Sequence, residues 1–132
     1  ADMPTAVRDA LTALHNAGLK LAVGSSSKNA AYILERLDAN RYFDAVCDGT
    51  MIAHSKPDPE IFLTAAKALG TTPAETLVLE DSYNGVRAGA AGGFVTVMVP
   101  DLSPATDEMR RIYTCECASL HEVRRKLECG EL

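Results

Sequence analysis

Four short apolar runs recur along this chain of 132 residues, and a helix-like segment separates each run from the next. The runs span Leu19–Val23, Phe43–Cys47, Thr76–Leu79 and Phe94–Val99. Because consecutive positions are apolar, with little alternation, both faces of each predicted strand should be buried. Strands of this kind, connected by helices, form parallel sheets with helices packed against them. The pattern therefore predicts an α/β fold.

Capping residues and glycines set the boundaries of the predicted helices. The helices begin at Pro4, Lys28, Asp58, Ser82 and Ser119. The second helix should run to Leu37 with Ile33, Leu34 and Leu37 facing inward. Residues 1–132 are expected to form one domain, with only a loop and a C-terminal helix after about residue 100.

Composition restricts the partners and the compartment. The net charge of −5 argues against nucleic acid or an anionic membrane as the main partner. No apolar run is long enough to span a bilayer. The four cysteines form no C-x-x-C pair and no zinc-like spacing, so reduced thiols in a cytoplasmic protein are expected.

Polar residues follow the first predicted strand in the sequence GSSSKN, residues 24–29. Right-handed crossovers bring the carboxyl ends of parallel strands to one edge of the sheet, where ligands bind. Three hydroxyls and the N–H groups of a helix start would favour an anion there. Simple N-capping by Ser27 is the alternative interpretation, and taken alone it is the commoner one.

A lysine and two acids follow later strands at the same predicted edge. Lys56 precedes a helix that has proline at its first position, and an ammonium there would attract phosphate, although such a lysine is usually only solvated. Glu80 and Asp81 end a buried strand, which is costly unless a partner such as Mg²⁺ pairs with them; Asp81 as a helix cap is equally compatible. Taken together, hydroxyls, a lysine and paired carboxylates suit phosphoryl transfer.

At these residues the chain resembles the haloacid dehalogenase (HAD) superfamily, in particular its β-phosphoglucomutase-like and phosphatase branch. Three of the four family motifs occur in order, at residues 21–27, 54–62 and 78–86. The resemblance implies a Rossmann-like fold and a phosphate site formed by Ser25, Ser26 and Lys56. It also implies that Asp81, with Glu80 beside it, binds Mg²⁺.

The first family motif is absent. In the family it is an Asp-x-Asp-Gly-Thr-like sequence that supplies the nucleophilic aspartate, and this chain has no Asp-x-Asp. The segment Asp48–Thr50 imitates its tail, but Val46 stands at the nucleophile position and the segment follows the second motif. The family's cap domain is also expected upstream, just before Pro4. The chain is therefore interpreted as the C-terminal part of a HAD-like core domain.

The absent motif would leave a gap in the sheet, because in the family it lies on the central strand, between Leu19–Val23 and Thr76–Leu79. An altered strand order, another chain, or an upstream segment of the same protein would each fill that gap. For the intact protein, the resemblance implies magnesium-dependent hydrolysis of a small phosphorylated metabolite through an aspartyl-phosphate on an upstream aspartate. Lys28 and Asn29 would contact a second phosphate if the protein were mutase-like, although two polar residues in a first helical turn are the commoner interpretation.

Three other classes compete with this interpretation. A catalytically inactive fragment, serving as a binding or assembly module with residual phosphate and Mg²⁺ binding, is the main alternative. A phosphoacceptor receiver domain uses similar groups, but its acids precede the hydroxyl and its lysine comes last, whereas the order here is Ser25, Lys56, Asp81. A dinucleotide-binding module would need a G-x-G-x-x-G after a strand, and none occurs.

Overall fold

The computed structural model describes residues 3–132, which form six α-helices and five strands. In chain order the elements are α1 (Thr5–Asn16), β1 (Ala22–Gly24), α2 (Ala30–Arg36), β2 (Ala45–Cys47), α3 (Glu60–Leu69), β3 (Leu77–Glu80), α4 (Tyr83–Ala91), β4 (Val95–Met98), α5 (Asp107–Ile112), β5 (Cys115–Glu116) and α6 (Leu120–Glu128). All strand pairs are parallel, with helices between successive strands. The predicted α/β fold is confirmed.

The strands form two separate ladders. β1 pairs with β2, from Ala22 opposite Ala45 to Gly24 opposite Cys47. β4 lies between β3 and β5 in the second ladder. Within residues 3–132 no hydrogen-bonded ladder joins β1 to β3, so the break falls where the family resemblance implies a gap.

Helix α3 connects the two ladders through the core. Its buried residue Phe62 belongs to one apolar cluster with Cys47 of β2 and Val78 of β3. The Phe62 ring also meets the Phe94 ring edge to face, with centroids 6.0 Å apart and planes at 71°. An aromatic pair of this kind contributes about 0.5–1.5 kcal/mol beyond its buried area. The hydrophobic core is therefore continuous beneath the break in the sheet.

The second ladder is covered on both faces. One cluster joins Val86 of α4 to Met98 and Met109, all of them fully buried. On the other face, Val97 packs with Cys117, and Val123 of α6 completes the layer. Burying each of the valine and methionine side chains contributes roughly 1.5–3 kcal/mol, so both faces of the second ladder contribute to stability.

Two sequence expectations are wrong in detail. Helix α2 begins at Ala30 and not at Lys28, and Ile33 lies at the surface with 47% of its area exposed, whereas Leu34 and Leu37 pack against a buried cluster as predicted. The chain after residue 100 contains α5 and β5 in addition to the predicted loop and C-terminal helix. Thr106 caps α5 by accepting a hydrogen bond from the Met109 N–H.

None of the helices in the described part of the chain combines the length and the apolar character that crossing a membrane requires.

Candidate active site

Lys56 lies at the carboxyl edge, where the ends of β1 and β3 approach each other. Its Nζ donates to Glu80 Oε2 at 2.6 Å and to the Gly24 carbonyl oxygen at 3.3 Å. The Phe62 ring lies beneath the ammonium, with its centroid 4.8 Å from Nζ. The two side chains of the ion pair are only 16% and 10% exposed. Lys56 thus connects the first ladder to the second at the break in the sheet.

The Glu80 carboxylate is held on its other side by the start of α4. Oε1 accepts from the backbone N–H groups of Asp81 (3.1 Å) and Ser82 (3.4 Å) and from the Ser82 hydroxyl (3.3 Å). Gly85 lies directly against this carboxyl group, since a methyl group at residue 85 would fall 2.0 Å from Glu80 Cδ. Only glycine leaves room for the carboxylate in this position.

Asp81 differs from Glu80 because its side chain is exposed. Across residues 3–132 no group donates a hydrogen bond to the Asp81 carboxylate. The backbone N–H of Asp81 donates to Glu80 Oε1. The same residues contain no cluster of three acidic, histidine or cysteine side chains arranged to hold a metal. The two carboxylates nevertheless match Mg²⁺, which commonly takes one or two carboxylates and completes its shell with water and phosphate oxygens.

The serine loop after β1 is held in place by the last residue of β2 and by the turn that follows it. The Ser25 N–H donates to the Cys47 carbonyl oxygen at 3.0 Å, and the Gly49 N–H donates to the Ser27 carbonyl oxygen at 3.3 Å. A methyl group at residue 49 would lie 2.3 Å from the Ser26 carbonyl oxygen. The Asp48–Thr50 turn, rejected as a nucleophile motif, therefore supports the serine loop.

The hydroxyls of that loop form local turns. Ser25 Oγ accepts from the Ser27 N–H, and Ser27 Oγ accepts from the Asn29 N–H, both at 3.1 Å. Helix α2 has Asn29 as its N-cap residue, without a side-chain capping bond. Ser27 is thus not the cap residue, although its hydroxyl binds the N–H just before the helix.

The predicted site residues fall into two groups. In the first group, Lys56 and Glu80 are in direct contact. Ser25 directly follows Gly24, whose carbonyl oxygen accepts from Lys56, and Asp81 directly follows Glu80. Three further predicted residues are exposed and form no hydrogen bond with Lys56 or Glu80: Ser26, Lys28 and Asn29.

Sequence reasoning missed three residues that support the site residues by hydrogen bonding or close packing. Glu60 binds the segment around Lys56, Gly85 accommodates Glu80, and Gly49 allows the close approach of the serine loop. A glycine in the first turn of a helix, three positions after the cap Ser82, was a signal of close packing that the sequence carried. The Glu60 contacts were not visible, because they depend on how residues 53–60 close into a loop.

The sequence pattern that defines the haloacid dehalogenase-like hydrolases matches residues 1–93. This chain belongs to that family. It is 42% identical to the β-phosphoglucomutase of Bacillus subtilis over 94 residues, which is 71% of this chain and 42% of that protein. It is also 38% identical to a phosphatase of phosphorylated carbohydrates from Thermotoga maritima over 89 residues, which is 66% of this chain and 41% of that protein.

Solved structures of this HAD-like hydrolase family have the same fold. The HAD phosphatase of Thermococcus onnurineus superposes with a TM-score of 0.85 at 25% identity, covering 95% of this chain and 58% of that protein. The HAD-like chain thus spans about two-fifths of the length of the two curated relatives and somewhat more than half of the solved one. The relatives include both phosphatases and phosphomutases.

Proposed function

We propose that this chain supplies the phosphate-binding and magnesium-binding half of a phosphatase that hydrolyses a small phosphorylated metabolite. The position of Lys56 carries this proposal. Its ammonium lies within hydrogen-bonding distance of groups at the ends of β1 and β3, so the three motif segments converge on one point of the sheet edge. Phosphoryl transfer requires such convergence, because charge on several phosphate oxygens must be neutralised together.

In this proposal Lys56, Ser25 and the N–H group near Ser26 hold the oxygens of the transferring phosphoryl group. Lys56 acts as a compact point charge whose donors can turn from the Gly24 carbonyl toward a phosphate. Its bond to Glu80 keeps the ammonium at the edge in the absence of ligand. Lys28 and Asn29, exposed beyond the serine loop, are assigned to a second phosphate if a substrate carries one.

Asp81 and Glu80 are the residues proposed to bind Mg²⁺. Asp81 offers an exposed carboxylate, and Glu80 Oε2, which accepts only the bond from Lys56, keeps a lone pair for the cation, whereas Oε1 accepts three protein hydrogen bonds. Bound Mg²⁺ would neutralise charge on the phosphate oxygens. Through its bond to Lys56, Glu80 also keeps the phosphate-binding ammonium next to the proposed metal site.

The nucleophile is proposed to be an aspartate upstream of this chain, which forms an aspartyl-phosphate that water then hydrolyses. The strand carrying it would enter the break between β1 and β3 and complete the sheet, either from the same protein or from another chain. Two observations support this: the chain spans 42% of its B. subtilis relative, and β1 and β3 are unpaired along the break within residues 3–132.

Sugar phosphates are the first substrates to assay. The B. subtilis relative is named as a β-phosphoglucomutase and the T. maritima relative as a phosphatase of phosphorylated carbohydrates. Hydrolysis is proposed over mutase chemistry because Lys28 and Asn29, the residues assigned to a second phosphate, are exposed and form no hydrogen bond with Lys56 or Glu80. The four free cysteines support a cytoplasmic location.

The deciding experiment compares this chain with the complete protein in hydrolysis of p-nitrophenyl phosphate, with and without Mg²⁺. Magnesium-dependent activity only in the complete protein supports the proposal. Activity in this chain alone would show that the nucleophile has been wrongly assigned. A complete protein that binds phosphate and Mg²⁺ without turnover would instead support an inactive binding or assembly module.

A further inference from the structure

The segment that carries Lys56 is closed into a loop by one side chain. Glu60, the first residue of α3, accepts a hydrogen bond from the Ala53 N–H at 2.8 Å on Oε1. Its Oε2 accepts from the His54 N–H at 3.0 Å and lies 3.0 Å from His54 Nδ1. The side chain of Glu60 therefore binds the start of the segment 53–60, and the backbone of Glu60 forms its end. Lys56 lies between these two points.

The loop is also bonded internally. The Asp58 N–H donates to the Ser55 carbonyl oxygen at 3.1 Å, and Asp58 Oδ1 accepts from the Glu60 N–H at 2.9 Å. These bonds shape the turn after Lys56, but they do not connect it to the chain that enters from β2. Only the Glu60 carboxylate makes that connection among the hydrogen bonds of residues 53–60.

Helix α3 provides a fixed base for this carboxylate. Ile61 is fully buried and Phe62 is 8% exposed, so the first turn of the helix is firmly packed in the core. Phe62 also supports the Lys56 ammonium from below. The same helical turn thus locates both the loop, through Glu60, and the ammonium, through Phe62.

We propose that Glu60 is a positioning residue that places Lys56 for phosphate binding. Glu60 does not touch Lys56, and it acts by fixing the loop on which Lys56 stands. The inference rests on the proposed function, which gives Lys56 its role. Hydrogen bonds to a carboxylate are about twice as strong as neutral ones, and a displacement of about 1 Å in a catalytic group costs roughly 100-fold in rate.

The ionisation of Glu60 is consistent with this role. The hydrogen bond from the Ala53 N–H, assisted by His54, lowers the pKa of the Glu60 carboxyl below its ordinary value. Glu60 is therefore charged at neutral pH and holds the loop with charge-assisted bonds.

Glu60→Gln in the complete protein tests the proposal, because the amide keeps the shape but loses one acceptor and the charge. We expect kcat/KM for p-nitrophenyl phosphate to fall by roughly 10- to 100-fold. Glu122→Gln is the matched control. The Glu122 carboxylate also binds a backbone N–H, that of Ala118, and its 31% exposure matches the 30% of Glu60, but it lies on α6.

A double-mutant cycle with Lys56→Ala separates positioning from a general loss of structure. If Glu60 acts through Lys56, the double variant should be no less active than Lys56→Ala alone. The proposal is overturned if Glu60→Gln stays within about twofold of the wild type, or if the two losses multiply.

Amine labelling followed by mass spectrometry tests the placement of Lys56 without relying on activity. In the complete protein, Lys56 should react several-fold faster with acetic anhydride in Glu60→Gln than in the wild type or in Glu122→Gln, while exposed Lys28 keeps its rate. Unchanged labelling of Lys56 would overturn the inference. Faster labelling in a protein that hydrolyses no phosphate would uphold the inference and reject the proposed function.

Discussion

One ammonium group bridges the ends of the two ladders at the carboxyl edge of the sheet. Lys56 pairs with Glu80 at 2.6 Å in a largely buried position and also reaches the backbone of β1. We expect Lys56→Ala in the complete protein to lower the rate of phosphate hydrolysis by about a thousandfold, because a preorganised positive charge is lost from the transition state. Steady-state kinetics, with circular dichroism to verify folding, measure this. A rate within about tenfold of wild type would reject the phosphate-binding role of Lys56.

Asp81 is the exposed member of the Glu80–Asp81 pair, and its proposed role is to bind Mg²⁺. We expect Asp81→Asn to abolish magnesium-dependent turnover in the complete protein while leaving the fold intact, since across the described residues the carboxylate makes no hydrogen bond. Asp101→Asn is the control, because Asp81 and Asp101 line one cavity beside Ser82 and Tyr83, and Asp101 is assigned no metal role. Turnover titrated with Mg²⁺ gives the result, and near-normal activity of Asp81→Asn would exclude its metal role.

At the scale of elements, one glycine of α4 leaves room for the Glu80 carboxylate at the end of β3. A methyl group at Gly85 would overlap the Glu80 carboxyl carbon at 2.0 Å, so we expect Gly85→Ala to lower the free energy of unfolding by about 1–3 kcal/mol. Urea unfolding measures this. Adding Glu80→Ala should remove much of the penalty, because the group that clashes is gone. Strictly additive losses would show that Gly85 matters for another reason.

The elements also show what the sequence allowed one to predict. Apolar runs between capped helices were sufficient for β1 to β4, each found within a few residues of its predicted position. β5 has two residues and α5 has six, too short for any periodic pattern to appear. The motifs located Lys56 and Glu80 at one edge, and Gly85 in the first turn of α4 was a local signal of close packing beside Glu80. The closure of residues 53–60 into a loop by Glu60 is encoded by no local pattern.

At the scale of the whole molecule, hydrogen-bonded carboxylates make stability depend on pH. Bonds from neighbouring residues lower the pKa of five of them: Asp48, Glu60, Glu75, Glu108 and Glu122. A group whose folded-state pKa is depressed stabilises the protein above its unfolded pKa and loses that contribution as the pH falls through the folded value. Urea midpoints should therefore fall steadily below about pH 4.5. A midpoint unchanged under acid would contradict these assignments.

The break between β1 and β3 sets the last expectation. Unpaired backbone groups along a sheet edge are open to water, whereas an inserted parallel strand would bond them on both sides. We expect backbone amides of residues 21–25 and 76–81 to exchange hydrogen much faster in this chain than in the complete protein. The β4 amides, already between two neighbours, should change less. Peptide-resolved hydrogen exchange makes the comparison, with α6 as an internal reference. Equal protection of the β1 and β3 segments in both proteins would mean that nothing enters the break, and the nucleophile would then have to approach the Lys56–Glu80 pair from outside the sheet.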